Sequence, residues 1–175
     1  MQSMKARVLV CLMILMGVAC SRSYEVYSSK YPVSFSCDIS KSPFNKVQTP
    51  GHFLSVRLTP TKESYKVTEP GGGEQTLPLT EMQKRVFNFG LAGLIIGKPY
   101  FGDGEYYAYD LGCPECDTPS ARLIVSTEGT ANCSKCSTIY DLNNGGVAKT
   151  GDSRPLYRYR TSLNGHIFSV GIGNW

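Results

Sequence analysis

Two C-x-x-C pairs constrain this 175-residue chain more than any other feature: Cys113-Pro114-Glu115-Cys116 and Cys133-Ser134-Lys135-Cys136, with sixteen residues between them. A tight turn carrying C-x-x-C sets two sulfurs about one metal ion's width apart, and the turn's own N–H groups can point back at the thiolates. Two such turns face to face complete a four-thiolate cage, and this spacing falls in the range of zinc sites. The same donor set holds iron–sulfur clusters. One C-x-x-C is a weak signal; two, separated by a hairpin's length of chain, are a strong one. The fold is therefore expected to gather Cys113, Cys116, Cys133 and Cys136 on loops within residues 112–142. Disulfides are the competing use of four cysteines, with three possible pairings. A thioredoxin-like redox motif is not expected, because neither pair opens a stretch of helical periodicity.

The compartment is written at the start of the chain. Lys5 and Arg7 form a short basic segment, and Val8 to Val18 is an apolar run interrupted by Gly17. That run is shorter than the roughly 20 residues a membrane span needs. Basic segment, short apolar run and small Ala19 together read as a secretory signal. Gly17-Val18-Ala19-Cys20 resembles the lipobox of bacterial lipoproteins, with Gly17 where Leu is usual. The resemblance implies acylation of Cys20 and three regions: a signal peptide over 1–19, a lipid-anchored tether over 20–30, and one domain over 31–175. Acyl chains, at about 0.8 kcal/mol per buried CH₂, would make a membrane the partner of the N-terminus. The cell envelope is the implied location, and Ser21 in place of Asp after the acylated Cys implies the outer membrane. Exported cysteines commonly form disulfides, which keeps that alternative open.

Loss of residues 1–19 takes Lys5 and Arg7 with it and lowers the formal charge from +4 to +2. No basic block of the kind that binds nucleic acid remains. The alternation Arg154-Pro155-Leu156-Tyr157-Arg158-Tyr159-Arg160 is that of a half-solvated strand.

The punctuation is that of a mainly β protein. Strands are expected at Pro32 to Cys37, His52 to Leu58, Leu91 to Ile96, Tyr106 to Leu111, Ala121 to Ser126, Ile139 to Leu142, Leu156 to Thr161 and His166 to Ile172. Glu69-Pro70-Gly71-Gly72-Gly73 is a loop. Thr80 with Gln83 three residues on forms a capping box that starts one short helix through Phe87. Leu163-Asn164-Gly165-His166 is the strongest hairpin signal.

Gly104-Glu105-Tyr106-Tyr107-Ala108-Tyr109-Asp110-Leu111-Gly112-Cys113-Pro114 resembles the approach to the first cluster motif of Rieske-type ferredoxin domains. Cys133-Ser134-Lys135-Cys136-Ser137-Thr138-Ile139-Tyr140-Asp141-Leu142, followed by Gly145-Gly146, resembles the second. Arg154-Pro155-Leu156 and Asn164-Gly165-His166-Ile167-Phe168-Ser169-Val170 mirror the family's Pro-Leu strand and closing hairpin. The resemblance covers roughly Leu91 to Val170. It implies stacked antiparallel sheets with a small metal-binding subdomain of the rubredoxin or zinc-ribbon kind. In the family two histidines share the cluster with two cysteines; here Cys116 and Cys136 match the histidine positions. Four thiolates would shift a [2Fe–2S] potential from about −150 to +300 mV toward about −400 mV. They are equally a closed cage for Zn²⁺.

Two functional readings follow. One is a lipid-anchored electron carrier with a [2Fe–2S] cluster and a redox protein partner, Pro114, Ser134, Ser137 and Tyr140 surrounding the sulfurs and tuning the potential. The other is a binding or structural module whose four cysteines hold zinc or form disulfides. The basic segment has no twin-arginine pair, so the chain is expected to cross its membrane unfolded, which favours a metal acquired outside; the resemblance favours the cluster. No catalytic constellation is visible. His52 and His166 lie outside both motifs and are expected to be strand residues, and Cys37 to be a small buried hydrophobe.

Overall fold

The structure is a computed structural model that describes residues 27–102 and 104–171. The expected signal peptide and Cys20 lie outside the described residues. Thirteen strands are present among these residues: β1 (Val33–Asp38), β2 (Phe53–Leu58), β3 (Ser64–Thr68), β4 (Glu74–Pro78), β5 (Asn88–Phe89), β6 (Leu94–Gly97), β7 (Tyr107–Asp110), β8 (Leu123–Val125), β9 (Thr130–Cys133), β10 (Ile139–Asp141), β11 (Val147–Ala148), β12 (Arg158–Asn164) and β13 (Ile167–Gly171). Besides a short 3₁₀ turn at Phe44–Gln48, one α-helix, α1 (Glu81–Val86), starts on the expected capping box: Thr80 Oγ1 accepts from the Gln83 N–H and Gln83 Oε1 accepts from the Thr80 N–H. The protein is mainly β, with antiparallel strand pairs, as its sequence indicates.

The strands form a nine-stranded sheet, ordered β4-β3-β2-β6-β7-β12-β13-β1-β5, and a four-stranded sheet, β11-β10-β9-β8. The large sheet curls on itself. Phe35 in β1 and Tyr65 in β3 stand six strands apart, about 29 Å in a flat sheet at ~4.8 Å per strand. Their ring centroids are 5.9 Å apart. Phe35, Phe44, Tyr65, Phe89 and Phe168 fill the concave side with aliphatic residues of β2 and β6. Each such side chain contributes about 1.5–3 kcal/mol by leaving water.

Period-2 alternation in the middle strands builds a second core on the outer face. Leu94 and Ile96 of β6 point into the curl while Ile95 points out; in β7, Ala108 points in and Tyr109 out. Phe53, Ile95 and Tyr109 meet Leu123, Ala131, Tyr140 and Leu142 of the small-sheet region. The Tyr109 hydroxyl donates to the Leu142 carbonyl at 2.9 Å. An apolar run like Leu94-Ile95-Ile96 is thus required, because β6 is buried on both sides.

Four differences from the sequence expectation have physical causes. Strands β3 and β4 form a hairpin on the Glu69–Gly73 loop, with Lys66 opposite Thr76 and Val67 opposite Gln75; β4 is mostly exposed and polar, so it carries no apolar alternation. Strands β9 and β11 are also unannounced, being short and built on small residues. At the last hairpin Asn164 pairs with Ile167, so the two loop residues are Gly165 and His166. Gly165, at φ +61, takes the first central position, where a type II′ turn requires positive φ. Finally, the expected tether through Lys30 ends earlier: Ser28 donates to the Arg158 carbonyl at 2.7 Å, so residues from Tyr27 onward belong to the domain.

The end of β7 is fixed by one buried carboxylate. Asp110 is fully buried and accepts from the N–H groups of Leu91 (2.6 Å), Ala92 (3.2 Å) and Gly112 (2.6 Å) and from the Tyr159 hydroxyl (2.7 Å). Burial pushes its acidity to a higher pH than usual, and the four donors act against that. A Cβ on Gly90 would lie 2.3 Å from Asp110 Oδ2, so glycine is needed there, at φ +70. Asp110→Ala leaves four donors without this partner and is expected to cost on the order of 3–5 kcal/mol, whereas Tyr159→Phe removes one donor and costs about 1.5–3 kcal/mol. Urea unfolding of the two variants checks the order; an Asp110→Ala loss no larger than that of Tyr159→Phe would contradict the anchoring role.

Candidate metal centre

β7 delivers the first cysteine pair directly from this anchor. Beyond Asp110 the chain stays extended: Leu123 donates to the Leu111 carbonyl at 2.8 Å, and Gly112 bridges to Arg122. Cys113 then donates from its backbone to the Ala121 carbonyl at 2.9 Å, which stitches the first loop to the start of β8. The second pair lies at the end of β9 and before β10, on the hairpin that faces it.

The two loops are built alike. Asp117 N–H bonds to the Cys113 carbonyl at 2.8 Å, and Ser137 N–H to the Cys133 carbonyl at 2.7 Å. The residue after each second cysteine is left-handed, with φ +50 at Asp117 and +61 at Ser137. A short polar side chain is among the few non-glycine types that visit this region, so Asp serves at the first position, and Ser takes it at the second.

The structure brings all four predicted cysteines together. Their sulfurs lie within 4.8 Å of one another, with Cys113 to Cys136 at 3.5 Å and Cys116 to Cys133 at 3.9 Å. No disulfide joins any two of them. Cys113 and Cys133 are buried, Cys116 is half-buried and Cys136 is exposed, so the cage opens to solvent on one side. Four convergent soft donors, with no acidic or imidazole group among them, suit a thiophilic metal ion.

Burial and hydrogen bonds set three of the thiols apart. Burial raises Cys113, while the Tyr140 hydroxyl, 3.5 Å from its sulfur, and the Cys116 N–H act to lower it. Burial and the neighbouring sulfurs push Cys116 to about 12. At Cys136 burial also opposes ionisation, but the Thr138 hydroxyl at 3.3 Å, the Thr138 N–H and the adjacent thiols bring it down to about 6. Cys136 is thus shifted in the opposite direction from Cys113 and Cys116.

Among the other residues the sequence singled out, Tyr140 is buried against Cys113. Pro114 is buried, and its carbonyl accepts from the Arg154 guanidinium, whose backbone N–H donates to Glu115 at 2.6 Å. Ser134 and Ser137 are exposed. His52 is half-buried just before β2, His166 is exposed in the last hairpin, and neither is near enough to join the cysteine group. Cys37 is buried in the main core, where desolvation raises its thiol strongly.

Sequence reasoning missed Thr138 and Asp117. Asp117 accepts from Lys30 Nζ at 2.5 Å and from the hydroxyls of Tyr31 and Tyr157 at 2.8 Å each. These donors hold its carboxyl at about 2, so the clamp is intact above about pH 4 and is lost only as pH falls toward 2. It ties the first residues of the domain to the first cysteine loop. The one signal available was the position itself, directly after Cys116.

Fold and site together define a mainly β protein in which four cysteines are gathered closely enough to hold a metal ion. A scan against protein-family models finds no match to this chain, and a search of the curated proteins finds none either.

A metal bound here would displace thiol protons, so the metal-bound form would carry fewer protons than the free form and raising the pH would favour it. Each thiol that must lose a proton changes affinity by about tenfold per pH unit. Metal transfer to a chromophoric chelator is expected to grow steeply from pH 8 to pH 5; retention independent of pH would contradict thiolate ligation.

Proposed function

We propose that this chain is an exported, lipid-anchored protein of the cell envelope whose β domain is built around one tetrahedral zinc ion on Cys113, Cys116, Cys133 and Cys136. The observation that carries the metal reading is the closeness of the sulfurs, all within 4.8 Å of one another. A tetrahedron with metal–sulfur bonds of ~2.3 Å has edges of about 3.8 Å, and the two pairs at 3.5 and 3.9 Å bracket that value. A two-iron cluster divides its thiolates between two irons separated by bridging sulfides. Some of its sulfur–sulfur separations then exceed those around one ion by the spacing of the irons, which fits this cage less well. Zinc would supply no redox chemistry; it would cross-link the two loops and add its binding energy to folding.

The anchor rests on the lipobox resemblance at Gly17-Val18-Ala19-Cys20, and no helix among the described residues is long and apolar enough to cross a membrane. The Rieske-type assignment is supported by the order of parts: strand β7 into the first cysteine loop, a small sheet holding the second, and a closing hairpin. With cysteine at both histidine positions, the proton-coupled chemistry of imidazole ligands is absent from this reading.

A second reading has its own support. Cys136 is exposed, and a metal whose ligand reaches the surface can pass electrons to a docked partner. One iron in the same cage would make the protein a lipid-anchored electron carrier.

Metal analysis and a visible spectrum of the anaerobically purified full chain separate these readings. One zinc per chain and no colour are expected, with the zinc lost in Cys133→Ser. One iron with charge-transfer bands would transfer the function to electron carriage, and two irons per chain would overturn the single-ion cage.

A further inference from the structure

The described chain begins beside an exposed aromatic loop. Tyr27 lines a cleft with Gly104, Glu105 and Tyr106. Its ring lies 4.9 Å from the Arg160 guanidinium and 5.3 Å from that of Arg158, which also stacks on Tyr107 at 3.9 Å. Between β6 and β7, the same stretch of chain carries Tyr100 and Phe101, 56% and 83% exposed. The loop is pinned rather than splayed by accident: Tyr100 N–H donates to Asn143 Oδ1 at 3.0 Å, and the Tyr100 ring covers Gly51 so closely that a Cβ there would come within 2.1 Å of it. Phe101 thus projects into solvent beside this contact.

The cysteine loops lie at the opposite end of β7. Six residue steps in extended conformation separate Tyr107 from Cys113, about 20 Å. Residues 27–31 run along this length, from Arg158 and Arg160 at Tyr27 to Asp117 at Lys30 and Tyr31.

We propose that the Tyr100–Phe101 loop is a membrane-contact site, seated in the headgroup region of the bilayer that carries the anchor, so that the domain stands with its metal centre facing away from the lipid. This rests on the lipid anchor proposed above. Seven residue steps from Cys20 to Tyr27 reach at most about 25 Å, less than the diameter of a domain of radius of gyration ~15 Å. The face on which the anchor arrives is therefore the face nearest the lipid. Aromatic rings at a loop tip suit the boundary between headgroups and acyl chains. Lys98, two residues before Tyr100, and exposed Arg160 supply cations for anionic headgroups.

The test uses the full chain, purified from membranes and reconstituted in vesicles of phosphatidylethanolamine and phosphatidylglycerol with brominated acyl chains. In a Trp175→Phe background, Phe101→Trp reports on the loop and Ser120→Trp on the cysteine-loop end. The proposal expects Phe101→Trp to lose most of its fluorescence in the vesicles, and Ser120→Trp to keep it. Vesicle-bound protein in which neither reporter is quenched, or both are, would overturn the contact site while leaving the anchor standing. Protein that stays off the vesicles and shows no acyl group on Cys20 by mass spectrometry would remove the anchor and the contact site together.

Discussion

The small sheet cannot stand on its hydrogen bonds. Its strands span two to four residues each, from Val147–Ala148 to Thr130–Cys133, and isolated hairpins of that size are marginal in water. Two constraints make up the difference. One face packs Leu123, Ala131 and Tyr140 against Ile95 and Tyr109 of the large sheet. At one end, four sulfurs converge from two loops that have no covalent bond between them. A metal ion there would replace four mutually crowded thiols with a single fixed point, and both loops are bent so that their sulfurs converge.

That delivery depends on β7. Its inward side chain, Ala108, belongs to the main core and its outward one, Tyr109, to the second core. Its last residue, Asp110, is locked by four donors from the 91–92 turn, Gly112 and Tyr159. Cys113 follows three residues later. The position of the first sulfur is therefore set by the largest and best-packed part of the molecule, whereas the second pair is set by the hairpin that the metal itself would secure. Asp117 closes the arrangement by clamping Lys30, Tyr31 and Tyr157 onto the first loop.

The sequence was most informative where one residue type has few uses. Paired cysteines at fixed spacing pointed to the four that meet, and Thr80 with Gln83 located the one α-helix among the described residues. Strands with strong alternation, such as Val33–Asp38, were legible to within a residue. The polar hairpin β3–β4 was not, because one of its strands is solvated on both faces and carries no apolar period. Asp110 was invisible for the opposite reason: a lone acid in an apolar strand looks like its solvent side, and only the fold shows that four donors surround it. Thr138 and Asp117 act through hydrogen bonds set by loop geometry, which spacing alone does not encode.

X-ray absorption at the edge of the bound metal tests the single-ion cage most directly, because it counts the neighbours of the metal itself. The account predicts four sulfur neighbours at about 2.3 Å and no second metal close by. A short metal–metal distance, or nitrogen and oxygen in place of one or more sulfurs, would contradict it.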